Sequence, residues 1–285
     1  MKIKKNGFSL IELSIVILII STVSVAALTI FSKKNIAEKN RETRAKLETI
    51  AEALKIYYKR NAILPCPALL TPAPDTAGFG AEDAPMGCLS TVNVTDNGAQ
   101  IVYGAVPILS LGLPPEYLFD SWGNRIVYVL DRRFHDVGFP PTYYNGTAPD
   151  MGIEVIDKLS GLRLSQRKAL RTEIAPAPAT ITDCLGGSTI GISYSTFIPD
   201  CPPMVLMSHG SNGLHSYNKN GAGPKEDTFG ISASESGNAS RGRGSYTTDN
   251  VLIDGEINQD MKDSSFTNYF DDILVYKSIS YFTAD

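Results

Sequence analysis

At 285 residues, 43% hydrophobic and 20% charged, the chain has the make-up of one or two folded domains and lies outside the disordered class. Its net charge of −4 is unevenly spread: three lysines precede residue 7, residues 33–60 carry nine basic and four acidic groups, and residues 62–285 carry 14 basic and 25 acidic ones. A net-acidic head argues against a basic nucleic-acid-binding face, so no nucleic-acid partner is expected.

Chain order begins with Lys2, Lys4 and Lys5, then an apolar run from Phe8 to Phe31 that contains neither Gly nor Pro and a single charge, Glu12. About 24 residues at about 1.5 Å each suffice to cross a bilayer as a helix. A carboxylate within such a run is costly in hydrocarbon, which makes Glu12 a functional candidate. An ordinary secretory signal peptide is the alternative, with Val25-Ala26-Ala27 as its cleavage site and a mature start near Thr29. Glu12 inside the apolar core counts against it.

Beyond Phe31 the pattern stays helical and turns amphipathic. Ile36, Thr43, Leu47, Ile50, Leu54 and Tyr57 recur on one face, supported by Glu42–Lys46 and Glu52–Lys55 pairs. Pro65 and Pro67 stop the pattern, so one helix is expected from Phe8 to about Asn61. Short β-like runs follow at Ile101–Tyr103, Arg125–Leu130, Ile153–Ile156, Met204–Met207 and Ile273–Tyr276, which predict an antiparallel sheet with long loops. A short helix is expected over Leu162–Ile174, a linker at Ala175-Pro176-Ala177-Pro178, and mostly loop over Gly210–Asn250. Two lobes joined near 175–180 are permitted. Cys66, Cys88, Cys184 and Cys201 fall into two sequence-local pairs without C-x-x-C spacing. Proximity suggests Cys66–Cys88 and Cys184–Cys201 bridges, although four cysteines allow three connectivities; four reduced, buried cysteines are the alternative.

The lysine leader, Gly7 and Phe8-Ser9-Leu10-Ile11-Glu12-Leu13 resemble the prepilin leader of type IV pilins and type II secretion pseudopilins. The resemblance implies cleavage between Gly7 and Phe8 by prepilin peptidase, N-methylation of Phe8, and an assembly role for Glu12, which attracts the N-terminal amine of a neighbouring subunit. Further on, Gly104-Ala105-Val106-Pro107, Leu111-Gly112-Leu113-Pro114 and Asp120-Ser121-Trp122-Gly123-Asn124-Arg125 look like the D-x-W-G-N segment of pseudopilin heads. Physically, Asp120 starts a turn, Gly123 and Asn124 suit positive-φ positions, and Trp122 anchors the turn in the core. Asp271-Asp272-Ile273 resembles the terminal strand of such heads.

Three histidines, His135, His209 and His215, stand in loop-like sequence and suggest surface or turn positions; His209-Gly210-Ser211-Asn212-Gly213 lacks the order of a nucleophile elbow. Arg241-Gly242-Arg243-Gly244 reads as a solvated loop. Asp249, Asn250, Asp254, Glu256, Asn258, Asp260 and Asp263 form an oxygen-rich stretch. Some pseudopilins hold calcium in a C-terminal loop, so calcium stays open there against an acidic surface loop; otherwise no metal or cofactor is expected.

The reading is therefore an α+β pilin-like protein and not an enzyme. Its parts are a leader (1–7), a transmembrane helix half (8–31), an amphipathic half (32–61) and a β-rich periplasmic head (62–285). Expected partners are prepilin peptidase, other pilin or pseudopilin subunits through the N-terminal helix, and an inner-membrane assembly platform. Before assembly the chain is a single-pass inner-membrane protein. Charge counting does not favour this topology, since Lys33, Lys34, Lys39, Arg41 and Arg44 follow the span; the cysteines and the resemblance do. A pilus-borne adhesin, a DNA-uptake pilin and a secreted enzyme are the rival readings.

Overall fold

The computed structural model describes residues 10–83, 88, 92–96, 99–135, 153–157, 202–225, 251–254, 257 and 270–284. The chain divides into two compact units, residues 1–41 and 42–285. One helix, α1 (Leu10–Asn61), opens the described chain. It stops where Ala62 turns left-handed (φ 58°) and donates its N–H to Tyr58 O at 2.7 Å, while the Asn61 side chain caps Tyr57 O at 2.9 Å. The helix thus ends four residues before Pro65.

Among the described residues seven strands follow: β1 (Val92–Asp96), β2 (Ala99–Ala105), β3 (Val127–Asp131), β4 (Glu154–Asp157), β5 (Met204–Ser208), β6 (Val251–Asp254) and β7 (Ile273–Lys277). Five of them make one antiparallel sheet in the order β1-β2-β3-β5-β7. The five β-like runs expected from the sequence each overlap a strand of the structure, although Arg125 and Ile126 precede β3 and Ile153 precedes β4. β4 departs from the antiparallel expectation: it pairs in parallel with β6, Glu154 opposite Val251. A short helix α2 (Ile108–Leu111) and a 3₁₀ turn (Pro115–Leu118) link β2 to β3, and α3 (Ile279–Thr283) follows β7.

Strands β2, β3, β5 and β7 are buried on both faces of the sheet, which explains why they read as apolar runs. Val102, Tyr128, Leu130, Met204, Leu206, Ile273 and Val275 face one way and join Leu47, Ile50, Ala51, Leu54 and Tyr58 of α1. Ile101, Tyr103, Val127, Val129, Val205, Met207 and Leu274 face the other way and enclose Ile153, the residue before β4. Each fully buried Leu or Ile on the helix contributes about 1.5–3 kcal/mol of transfer free energy. Tyr58, four residues after Leu54, takes the core position, whereas Tyr57, expected there, is half-buried. A long helix packed on an antiparallel sheet in this way is an α+β, pilin-like architecture.

Salt bridges on α1 only partly follow the expected pairs. Lys46 meets Glu42 at 3.7 Å. Glu52 and Lys55 turn instead to the C terminus: Tyr281 donates its hydroxyl to Glu52 Oε1 at 2.6 Å and Lys55 lies over the Tyr281 ring at 4.7 Å. Lys277 meets Glu48 at 2.6 Å.

Candidate functional site

Residues 10–25 of α1 present an apolar surface. Leu10, Ile11, Leu13, Ile15, Val16, Ile17, Leu18, Ile19, Ile20, Val23 and Val25 are all exposed. Hydroxyl groups scattered among them turn inward to the helix: Ser14 donates to Ile11 O (2.8 Å), Ser21 to Ile17 O (2.6 Å), Thr22 to Ile19 O (2.9 Å) and Ser24 to Ile20 O (2.7 Å). Back-bonding of this kind leaves these hydroxyls without need of water, which suits an apolar surrounding. Glu12 lies in the first turns of this surface. Among the described residues no helix is long and apolar enough to cross a membrane. Gly7 and Phe8 lie outside the described residues, as do the side chains of several residues between 26 and 33.

In the second unit, Asp120 is the hub of the turn singled out in the sequence. Its Oδ1 accepts the N–H groups of Trp122 (2.9 Å) and Asn124 (2.8 Å), and its Oδ2 accepts the Ser208 hydroxyl (2.8 Å) and the Asn124 amide (3.3 Å). Burial raises the Asp120 pKa, and the hydrogen bonds from Ser208, Asn124 and Trp122 oppose that rise. Gly123 takes the positive-φ position (φ 88°), but Asn124 does not: it is held in a bridge with Asn218, and its side chain reaches back to Asp120 and on to Gly210 O at 3.1 Å. Trp122 packs against the core as expected.

Two neighbours of this turn were not legible as such. Gly210 sits at φ 60° where a Cβ would strike the Asp271 carbonyl. Asp271 in turn accepts Ser211 Oγ and Asn212 N, each at 2.8 Å. In the sequence Asp271-Asp272 stands out only through the resemblance of Asp271-Asp272-Ile273 to a terminal strand. Arg125 is fully buried, donating to the carbonyls of Pro72, Lys219 and Asn218 and lying against the Phe79 and Phe119 rings; burial lowers its pKa.

Of the histidines expected at surface or turn positions, His215 stands in a turn and His209 directly after β5, both buried, and His135 is half-buried. His209 Nδ1 lies 3.5 Å from Asp272 Oδ1. The nearby hydroxyls of Ser208 and Ser211 are donated to Asp120 and Asp271.

Cys66 and Cys88 form a disulfide with Cα atoms 5.4 Å apart, both fully buried. Cys184 and Cys201 lie outside the described residues. So do the expected helix at 162–174, the linker at 175–178, the tract at 241–244 and the oxygen-rich stretch except Asp254. Asp254 Oδ2 accepts the Tyr276 hydroxyl at 3.2 Å.

A family model described as the prokaryotic N-terminal methylation motif matches residues 2–28. No curated protein and no solved structure matches the chain significantly. The matched residues contain the lysines, Gly7, Phe8 and Glu12, and such a motif implies processing by prepilin peptidase and inner-membrane anchoring before assembly. The chain carries the prepilin-type cleavage and methylation motif that is typical of type IV pilins and type II secretion pseudopilins.

Proposed function

We propose that this protein is a membrane-anchored pseudopilin or minor pilin that joins a type II secretion pseudopilus or a type IV pilus. The observation that carries the reading is the methylation motif over residues 2–28, together with the exposed apolar surface of α1 between Leu10 and Val25. Prepilin peptidase cuts after Gly7, and the new amine at Phe8 is methylated. Apolar helices then pack side by side and supply most of the cohesion. Glu12 sets the register, since a carboxylate in hydrocarbon is stabilised by an ammonium group from the next subunit. An assembly of this kind is head-to-tail and open-ended. The head lies in the periplasm, a placement supported by the Cys66–Cys88 bridge, because disulfides persist in oxidising compartments.

Mass spectrometry of the mature protein tests the reading. The expected N terminus is N-methylated Phe8; a chain retaining its lysines, or one starting near Thr29, refutes it. In the same cells Glu12→Ala should be inserted and cleaved but recovered poorly in sheared filaments. Recovery equal to wild type would remove Glu12 from the assembly step.

A further inference from the structure

The Cys66–Cys88 bridge lies beside a third metal-competent group. A ring nitrogen of His135 and the two sulfurs lie within 4.8 Å of one another. The bridge closes a span of 22 residues, and His135 comes from the turn after β3. His135 Nδ1 is 3.0 Å from Leu64 O. A carbonyl only accepts, so Nδ1 carries the proton and the lone pair is left on Nε2. Metal-binding histidines are oriented in this way, with the other ring nitrogen donating to a carbonyl or carboxylate. Here a carboxylate stands close as well: Glu82 Oε1 is 3.7 Å from His135 Nδ1 and accepts the Cys66 N–H at 2.7 Å. Glu82 is itself fixed by the Ser110 hydroxyl at 2.9 Å.

We propose that the chain in its dithiol form binds one zinc ion through Cys66 Sγ, Cys88 Sγ and His135 Nε2, with water in the fourth position. Two thiolates and an imidazole are a donor set that suits zinc. Tetrahedral Zn–S bonds of about 2.3 Å and Zn–N bonds of about 2.0–2.1 Å place neighbouring donors roughly 3.5–3.8 Å apart. The two sulfurs and the imidazole, already gathered within 4.8 Å of one another, reach those separations once the reduced sulfurs part and the ring turns. The chain is synthesised with thiols. Zinc binding replaces the two thiol protons and releases them. Oxidation by an exogenous disulfide removes two electrons from the thiolates, forms the Cys66–Cys88 bond, expels the zinc ion and leaves the oxidant as two thiols after uptake of two protons. Metal and bridge are thus alternative staples of one loop: zinc holds it before oxidation, sulfur after.

The test uses the full chain in detergent, with Cys184→Ser and Cys201→Ser to remove competing thiols. Protein reduced by a phosphine is refolded with and without Zn²⁺, and metal content and far-ultraviolet circular dichroism are measured. About one zinc per reduced chain is expected, and none per oxidised chain. His135→Ala, whose fold is verified in its oxidised form, should weaken zinc binding of the reduced chain at least tenfold. Cobalt in place of zinc should give a thiolate charge-transfer band. A reduced chain that holds no zinc, a reduced chain that zinc leaves unfolded, or undiminished binding in His135→Ala overturns the proposal.

Discussion

Residues 10–25 and residues 42–285 treat the same side chains in opposite ways. In the first stretch Leu, Ile and Val point outward and hydroxyls bond back to their own helix. In the second, Leu and Ile point inward, and polar side chains reach across tens of residues: Ser208 to Asp120, Asn124 to Gly210, Tyr281 to Glu52. The first stretch satisfies its polar groups locally and leaves its apolar surface for something outside the chain. Among its described residues the second meets most of both needs within itself, with Ile56 and Leu109 still exposed and Ser121 Oγ, Arg125 Nη1 and Arg132 Nε buried without a hydrogen bond. A single helix, α1, serves both patterns, so the contrast follows from the order of side chains and not from a change in backbone.

The largest effect that would break this contrast comes from paired truncations on α1. Leu54→Ala removes a fully buried side chain between helix and sheet and should cost about 2–5 kcal/mol. Ile17→Ala removes an exposed one and should leave the same unfolding transition within about 0.5 kcal/mol. Urea denaturation of the full chain in detergent, followed by the fluorescence of Trp122, measures both. Equal losses in the two variants would erase the distinction.

Next in size is the bridge. Cys66→Ser opens the loop that the disulfide closes and should lower stability by about 3 kcal/mol in the chain-entropy account. The loss should show as a lower midpoint in urea under oxidising conditions and should disappear when wild type is measured fully reduced. A persistent difference under reduction would mean that the sulfur packs rather than staples.

Much of this was legible beforehand, for identifiable reasons. The helix announced itself because no Gly or Pro interrupts residues 8–61. Strands β2, β3, β5 and β7 were visible because burial on both faces makes them continuous apolar runs. β1, with the sequence VNVTD, lacks such a run and escaped; β6 carries a short one, Val251-Leu252-Ile253, but it lies within the oxygen-rich stretch and was not read as a strand. The Asp120 turn was legible through its Asp, Gly and Asn chemistry, but its partners Ser208 and Gly210 stand more than 80 residues away, a distance that no local pattern carries. Tyr58 displaced Tyr57 because adjacent aromatic residues differ by about 100° around a helix, and only packing decides which faces in.

The Asp120 hub sharpens the contrast at a polar site. Asp120→Asn keeps the shape but turns an acceptor into a donor toward Ser208 or Asn124, which should cost about 1–3 kcal/mol at neutral pH. The pH dependence has a definite sign. Burial raises the folded pKa above that of the unfolded chain, so between the two values the folded state holds more protons. The increment from this group is complete below the unfolded pKa and fades as pH rises through the folded one. Wild type should therefore show a declining component of stability above the ordinary aspartate range that the Asn variant lacks. Parallel pH profiles for the two proteins would contradict the assignment.

The smallest effect concerns the C terminus, where α3 returns to α1. The Tyr281 hydroxyl donates to Glu52, while its ring lies under Lys55 and Lys277 and edge-on to Phe282 at 5.2 Å. Burial, then Glu52 and Glu48, raise the Tyr281 pKa, so the hydroxyl keeps its proton throughout the neutral range and remains a donor. Tyr281→Phe deletes the hydrogen bond and keeps the ring. Because Glu52 is exposed, the loss should fall near the low end of about 0.5–1.5 kcal/mol. Tyr281→Ala also deletes the two cation–ring contacts and the packing on Phe282, and should cost clearly more. If the Phe variant lost as much as the Ala variant, the hydroxyl and not the ring would be what holds α3 to α1. That result would extend the long-range polar bonding of the second unit to its last helix, whereas the expected order makes this end of the chain a packing contact to which the hydrogen bond adds little.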